Sequence, residues 1–179
     1  MDYPHLVLVT GGSRSGKSAH ALELAAQAAD RKRAPAFFIA TAQALDEEMA
    51  ARIARHRAAR PARFRTIEEP VALIEALGGV EDNPGSVVVI DCLTLWLSNL
   101  IARALSDEAV VSQAEALART LTLARYSSVV VSGEVGSGLV PIEPLGRRFR
   151  DLLGWTNQLV ARAADRVILM VAGCPLVIK

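Results

Sequence analysis

Eight residues, "GGSRSGKS" (11–18), carry the clearest chemistry of the sequence, because they fit the pattern G-x-x-x-x-G-K-[ST]. They follow the apolar run "HLVLVT" (5–10) and open the helix-forming run "KSAHALELAAQAAD" (17–30). Glycines let backbone N–H groups turn toward phosphate oxygens, and a helix N-terminus adds positive potential there. The setting favours a nucleoside triphosphate site over a glycine-rich turn with a chance lysine. The predicted contacts are Gly11, Gly12, Ser13, Arg14, Ser15, Gly16, Lys17 and Ser18.

Three side chains are expected to act on the phosphates and a metal ion. Lys17 is predicted to reach the β- and γ-phosphates, and the Ser18 hydroxyl to ligate Mg²⁺. Asp91 ends the apolar run "VVVID", which places a carboxylate at the end of a buried strand. A helix N-cap is the alternative role for this aspartate. We expect Ser18 and Asp91 to hold Mg²⁺ through the nucleotide.

The motifs do not identify the base. Switch-type GTPases read guanine with an N/T-K-x-D segment, and the sequence contains none. The stretch "DLLG" (151–154) fits D-x-x-G, but it lies inside a predicted helix, so the match is taken as coincidence.

A single histidine stands inside an arginine-rich run, "ARIARHRAAR" (51–60). Six arginines and no acid occur between residues 52 and 65. Positive neighbours disfavour the imidazolium, which would keep His56 neutral and nucleophilic toward phosphorus, and the arginines could neutralise a triphosphate. Because His56 follows Ile53 by three residues, we expect it to face the sheet or the cleft rather than bulk water. The alternatives are a partly buried structural histidine and a solvated arginine face.

The remaining pattern predicts an α/β fold. Its strands are apolar throughout, which is typical of a mostly parallel central sheet covered by helices on both faces. Residues 1–179 show no repeat or linker, so we expect one domain. Predicted strands cover 5–10, 34–41, 86–92, 127–134 and 166–173, with 63–69 extended and a short last strand in 175–179. Predicted helices cover 17–30, 45–60, 70–77 (ending at Gly78 and Gly79), 93–105, 107–125 and 145–165.

Composition argues against several classes of protein. A net charge of +1 gives no general attraction to nucleic acid, and Phe64 is the one aromatic residue beside the arginines, so an RNA-binding module is disfavoured. The two cysteines, Cys92 and Cys174, lie far apart, which favours a reducing compartment over a disulfide framework. No signal-peptide pattern or membrane-length apolar run is present, so we expect a cytoplasmic protein without membrane insertion.

Five segments together resemble the bifunctional adenosylcobinamide kinase / adenosylcobinamide-phosphate guanylyltransferase family. The resemblance covers nearly the whole chain, from about residue 6 to Lys179, and the segment around His56 is more diagnostic than the phosphate loop. It implies a RecA-like P-loop fold, a homotrimer, and GTP, ATP and a corrinoid as ligands. The segments are "LVTGGSRSGKSAHA", "IATAQALDEEMAARIARHRAARPARFRTIEEP", "VVVIDCLTLWLSNL", "EVGSGLVP" and "RRFRDLLGWTNQLVARAADRVILMVAG".

The resemblance also implies two reactions. In the first, ATP or GTP phosphorylates the hydroxyl of adenosylcobinamide. In the second, GTP gives GMP to His56 and releases pyrophosphate, and the corrinoid phosphate then takes the GMP to form adenosylcobinamide-GDP. For Glu68, contact with the guanine N–H edge and a surface salt bridge to an arginine both stay open. Beyond the loop, the implied nucleotide contacts are Ala40, Thr41, Ala42, Arg57, Ala58, Ala59, Arg60, Glu68 and Asp91.

Two positions depart from the family pattern. Arg55 precedes His56 where many members have a second histidine, and Gly133 stands where asparagine is common. Neither change touches the phosphate loop or the nucleophile. The competing interpretation is a P-loop ATPase or GTPase, acting as a switch or motor, in which His56 is structural.

Overall fold

The structure is a computed structural model that describes residues 3–58 and 60–179. It contains a seven-stranded sheet flanked by helices. The strands are β1 (Leu6–Gly11), β2 (Ala36–Ala40), β3 (Phe64–Glu68), β4 (Val87–Asp91), β5 (Ser127–Val131), β6 (Arg166–Val171) and β7 (Cys174–Val177). The helices are α1 (Lys17–Lys32), α2 (Glu47–Ala58), α3 (Leu73–Glu81), α4 (Leu93–Ala102), α5 (Asp107–Leu123) and α6 (Pro144–Ala163).

The strands are ordered β3-β2-β4-β5-β1-β6-β7 across the sheet. All neighbouring pairs are parallel except β6 and β7, which are antiparallel. The carboxyl ends of β1 to β5 therefore meet along one edge, which is where ligands bind in open α/β sheets. One strand, β5, lies between β1, which leads into the glycine-rich loop, and β4, which ends at Asp91.

The two faces of the sheet carry separate cores, so the predicted fold class is confirmed. In β1, Leu6 and Leu8 belong to the core that contains the buried residues of α3, α4, α5 and α6, whereas Val7 and Val9 belong to the core on the opposite side, which contains those of α1. This alternation follows from the two-residue period of a strand. Both sets are fully buried, which explains why Leu6, Val7, Leu8 and Val9 form an unbroken apolar run.

Helix α1 packs on the sheet through small side chains. Its buried residues are all alanines, and they lie against β1, β4 and β5. Alanine brings the helix axis close to the sheet, so the glycine-rich loop that leads into α1 is held close to the strand ends. The alanines are Ala21, Ala25, Ala28 and Ala29.

Helix α3 begins later than predicted. The sequence indicates 70–77, whereas the helix is Leu73–Glu81. The Glu69 carboxylate accepts hydrogen bonds from the backbone N–H groups of Val71 and Ala72, at 2.8 and 2.7 Å, so the chain turns before the helix starts. The helix then continues through both glycines that were predicted to end it, because its apolar residues on either side of them remain buried.

Helix α2 contributes nothing buried to the core. The spacing of Leu45, Met49 and Ile53, each four residues apart, predicts an apolar face for this helix, but that face does not enter the core. Leu45 lies outside the helix and is 81% exposed, and Met49 and Ile53 are only partly buried. The side chain of Asp46 accepts a hydrogen bond from the Met49 N–H at 2.7 Å and so caps the helix start. In the part of the chain that is described, no helix combines the length and apolar character needed to span a bilayer.

A larger side chain in the α1 contact should destabilise the fold. We expect Ala25→Leu to lower the free energy of unfolding by about 1–3 kcal/mol, because added methylenes in a packed contact force side chains and backbone apart. Urea denaturation of the purified variants measures this. Gln27→Leu adds a leucine to the exposed side of the same helix and should change stability by less than about 0.5 kcal/mol. Equal stabilities for the two variants would contradict the close-packed contact.

Candidate nucleotide site

The glycine-rich loop 11–16 requires glycine at its first position. Gly11 has φ +143°, and a Cβ there would lie 2.4 Å from the carbonyl oxygen of Met170. Gly16, with φ +93°, immediately precedes α1. The loop is fixed from below, because the N–H of Gly173, in the turn between β6 and β7, donates to the Ser15 carbonyl at 3.1 Å. Its backbone is thus shaped before any ligand arrives.

Lys17 begins α1 and extends over the loop. Its ammonium donates to the Gly12 carbonyl and lies 3.4 Å from the Ser15 hydroxyl. Burial lowers the pKa of Lys17 below its ordinary value, and the nearby Arg52 cation also lowers it, whereas Asp91 acts in the opposite direction. The ammonium is therefore a partly desolvated cation, which suits it to bind phosphate oxygens.

Asp91 and Ser18 come together as predicted for a metal-linked pair. Burial raises the pKa of Asp91, and the nearby Ser18 hydroxyl and the positive charges of His56, Arg60 and Lys17 oppose the rise. Hydroxyl and carboxylate oxygens are ligands that suit Mg²⁺. Within the described part of the chain, no group of three or more histidine, cysteine and carboxylate side chains could hold a metal ion, so the pair would need the nucleotide oxygens as further ligands.

Thr41 connects the end of β2 to the end of β4. Its buried hydroxyl donates to the Cys92 carbonyl at 2.7 Å and accepts from the Cys92 N–H at 2.8 Å. Its own N–H donates to the Asp91 carbonyl at 3.1 Å. Burial raises the pKa of the Cys92 thiol to about 11, so this side chain stays protonated near neutral pH. The position of Asp91 is consequently set by the neighbouring strand as well as by its own.

Asn99 of α4 holds two loops at this edge of the sheet. Its side-chain amide donates to the carbonyl of Thr41 at 2.8 Å and to that of Pro70 at 2.9 Å. Thr41 follows β2 and Pro70 follows β3, so one NH₂ group fixes both loops relative to α4. This residue was not predicted as part of the site, although an asparagine within the largely apolar "LTLWLSNL" was a signal for it.

Arginines from the end of α2 meet the end of β3. Arg57 forms a salt bridge with Glu68, in which both side chains are more than half exposed. The Arg60 guanidinium lies 3.8 Å from the centre of the Phe38 ring and near the Thr66 hydroxyl. Burial lowers the pKa of Arg60, while the charges of Asp91 and Glu68 raise it. The salt-bridge alternative for Glu68 is thus present in the structure, and it leaves the carboxylate accessible.

His56 is exposed to solvent, so the expectation that it avoids bulk water is wrong. The reason is that α2 lies outside the core, with no buried residue. The imidazole is nevertheless close enough to Asp91 for its charge to lower the pKa of that carboxyl. Arg52, one helical turn earlier on the same face, acts on Lys17 in the same way. This face of α2 is therefore turned toward the phosphate loop. Arg52 was not among the residues predicted for the site.

The other predicted contacts are distributed around the same edge. Ala40 is buried as the last residue of β2, and Ala42 is partly buried just beyond it. Ser13 and Arg14 are exposed at the top of the loop, and Ala58 is exposed at the end of α2. Ala59 lies outside the described residues. Which of these residues contact a nucleotide stays a prediction.

A family model described as "Cobinamide kinase / cobinamide phosphate guanyltransferase" matches residues 7–178. The chain belongs to this family. The recognised resemblance is therefore confirmed, and the chain is an enzyme of the cobinamide kinase / guanyltransferase type.

Relatives in three bacteria support the same assignment. The chain is 44% identical over 174 residues to a Pseudomonas aeruginosa protein named "Bifunctional adenosylcobalamin biosynthesis protein CobP", covering 96% of each chain. It is 38% identical to the Escherichia coli protein and 37% identical to the Salmonella typhimurium protein, both named "Bifunctional adenosylcobalamin biosynthesis protein CobU". Each of these two matches spans 97% of this chain and 99% of the relative, so the likeness is not confined to the phosphate loop.

Replacing the Asn99 amide should weaken nucleotide binding. Asn99→Asp keeps the shape but turns a carboxylate toward two carbonyl oxygens, so the loops after β2 and β3 should separate from α4. A loss of about 1.4 kcal/mol in positioning corresponds to an increase in the Kd for GTP of about tenfold. Isothermal titration measures the Kd, and thermal denaturation measures stability.

Trp96→Phe is the matched control on the same helix. The Trp96 indole N–H donates to the Val71 carbonyl at 2.9 Å, so this variant loses one buried hydrogen bond near Pro70 but leaves Thr41 untouched. It should lower the melting temperature without changing the Kd for GTP. If the two variants changed the melting temperature and the Kd for GTP to the same extent, Asn99 would have a purely structural role.

Proposed function

We propose that this chain catalyses two successive reactions at the edge of the sheet that carries Asp91. It phosphorylates adenosylcobinamide with ATP or GTP. It then transfers GMP from GTP, through a covalent intermediate on His56, to adenosylcobinamide phosphate, giving adenosylcobinamide-GDP and pyrophosphate in cobalamin biosynthesis. The observation that carries the proposal is that His56 of α2 and Lys17 and Ser18 of the phosphate loop all lie close enough to the Asp91 carboxylate to affect its pKa. Nucleophile and phosphate site thus share one carboxylate.

The covalent step needs an imidazole nitrogen with a free lone pair. That nitrogen bonds to the α-phosphorus of GTP while the bond to the β-phosphate oxygen breaks, and pyrophosphate leaves. An oxygen of the corrinoid phosphate then displaces the imidazole from the same phosphorus, which restores the free histidine. An exposed ring supports this proposal, because the nucleotide and the acceptor must approach it in turn.

The cations around the site would neutralise the phosphates. Lys17 would bind the β- and γ-phosphates, and Arg57 and Arg60 would stabilise negative charge that develops during transfer. Ser18 and Asp91 would hold Mg²⁺ through the nucleotide, and the ion would supply further charge neutralisation. Glu68 would accept hydrogen bonds from the N–H edge of guanine after its salt bridge to Arg57 breaks.

The location, assembly and ligands of the enzyme are part of the same proposal. We expect residues 1–179 to act as one catalytic domain in the cytoplasm, as a homotrimer with GTP, ATP and a corrinoid as ligands. The net charge of only +1 supports small-molecule ligands over nucleic acid.

The covalent intermediate gives a direct test. Incubation with GTP and Mg²⁺, followed by denaturation and intact-mass measurement, should show a GMP-sized, acid-labile adduct on the wild-type protein. His56→Ala should form none, whereas His5→Ala and His20→Ala, which alter the other two histidines, should form it. GTP hydrolysis by a wild-type protein that carries no adduct would favour the competing ATPase or GTPase switch.

Removing the loop cation tests whether both reactions use one phosphate site. Lys17→Ala should reduce kcat/KM of the kinase step and of adduct formation by at least about a hundredfold each, because both need the triphosphate held. Single-turnover assays with labelled nucleotide measure the two steps separately. Loss of only one activity would mean that the two reactions bind triphosphate at different places.

A further inference from the structure

The segment that joins β5 to α6 exposes an unusual amount of apolar surface. Residues 135–145, which cover the end of this segment and the start of α6 and are called here the apolar loop, contain two side chains that are almost fully exposed, Leu139 at 97% and Ile142 at 87%. Scattered exposed apolar residues are ordinary, but a cluster of this kind usually marks a binding surface. The exposed large apolar side chains of the loop are Val135, Leu139, Val140, Ile142 and Leu145.

The apolar loop leaves the sheet beside the phosphate loop. The N–H of Glu134 donates to the Gly11 carbonyl at 2.9 Å, and the N–H of Gly133 donates to the Thr94 hydroxyl at 2.6 Å. Because Thr94 lies in the first turn of α4, just after Asp91, the root of the loop bridges the two sides of the candidate nucleotide site. The root of the apolar loop therefore adjoins the candidate phosphate site.

The backbone of the apolar loop is held in place while its apolar side chains stay exposed. Arg150 of α6 donates to the Gly136 carbonyl, and Arg147 donates to the carbonyls of Pro141 and Ile142. The Glu134 carboxylate accepts from the Gly136 N–H. Charged side chains therefore hold an apolar surface in an exposed position. Exposure of apolar surface to water is unfavourable, so the arrangement favours a ligand that covers it.

Arg150 also offers a free donor next to this surface. Its Nη1 atom is buried and has no hydrogen-bond partner among the described residues, while its Nη2 atom binds the loop. A buried guanidinium nitrogen without an acceptor is unfavourable, and a phosphate or amide oxygen of a ligand would satisfy it.

We propose that the apolar loop binds the corrin macrocycle of the acceptor and that Arg150 binds an oxygen at the edge of that macrocycle. This inference rests on the proposed function, which supplies a corrinoid acceptor. A corrin is a large ring with apolar faces and amide groups around its rim, so it needs an apolar platform with adjacent donors. Its phosphate or hydroxyl must also reach the nucleotide, and the root of the apolar loop adjoins that site.

The other exposed apolar surface is less well placed for the acceptor. Leu176 and Val177 lie on β7, which runs antiparallel to β6, with Val177 opposite Ile168. Because β7 runs away from the edge at which β6 ends, these residues lie progressively farther from that edge, on a strand that β6, β1 and β5 separate from β4 and Asp91.

Exposed positions permit a test that does not disturb the fold. In the double variant Leu139→Ser/Ile142→Ser we expect the KM for adenosylcobinamide phosphate in GMP transfer to rise at least about tenfold. Formation of the His56–GMP adduct from GTP alone should keep its wild-type rate. Leu123→Ser, which removes an 80% exposed leucine at the end of α5, is the control and should leave the KM unchanged.

Binding and assembly are measured alongside activity. Equilibrium dialysis with adenosylcobinamide should show weaker binding to the double variant, and it does so whether or not the chain forms a GMP adduct. A wild-type protein that forms no GMP adduct would contradict the proposed function, and this outcome can be told apart from a failure of the present inference. An unchanged KM and unchanged corrinoid binding would overturn the inference. So would a smaller oligomer by light scattering for the double variant, because the apolar loop would then be a contact between copies of the chain.

Discussion

The candidate site depends on one desolvated carboxylate at the end of a central strand. Asp91 is costly to keep ionised in its position, and that cost is offset by the nearby Ser18 hydroxyl, by Lys17 at the start of α1 and by Arg60 beyond the end of α2. The phosphate loop, α2 and the residues beyond it are thereby held around a common negative charge. An arrangement of this kind tolerates the close approach of several cations without a ligand and can accept a polyanion with a bound metal ion.

The parts of the fold set by local pattern were predictable from sequence. The strand, glycine-rich loop and helix around Lys17 follow from residue types that satisfy their own backbone requirements, such as glycine at position 11. The apolar strands predicted a parallel sheet covered on both faces, and the structure confirms it. Helix α3 was misplaced because a side chain outside the helix, Glu69, decides where it starts.

Contacts between residues that are far apart in the sequence could not be predicted. Asn99 and Thr41 are 58 positions apart, and nothing in either segment indicates that an amide of one meets the carbonyl of the other. The burial of His56 was misjudged for a related reason. An apolar spacing of three or four shows that a helix has a less polar face, but not that another element covers that face, and α2 has no buried residue at all.

The hydrogen bond from Gly173 to Ser15 connects the two ends of the polypeptide through the phosphate loop. Because β7 is an edge strand that pairs with β6 alone, fraying of this hairpin would also release the underside of the loop. Thermodynamic linkage makes the relation reciprocal, so a ligand that tightens the loop must also slow the opening of the hairpin. The rate of amide hydrogen exchange in β7 would therefore fall when a nucleotide binds the loop, although β7 carries none of the candidate site residues.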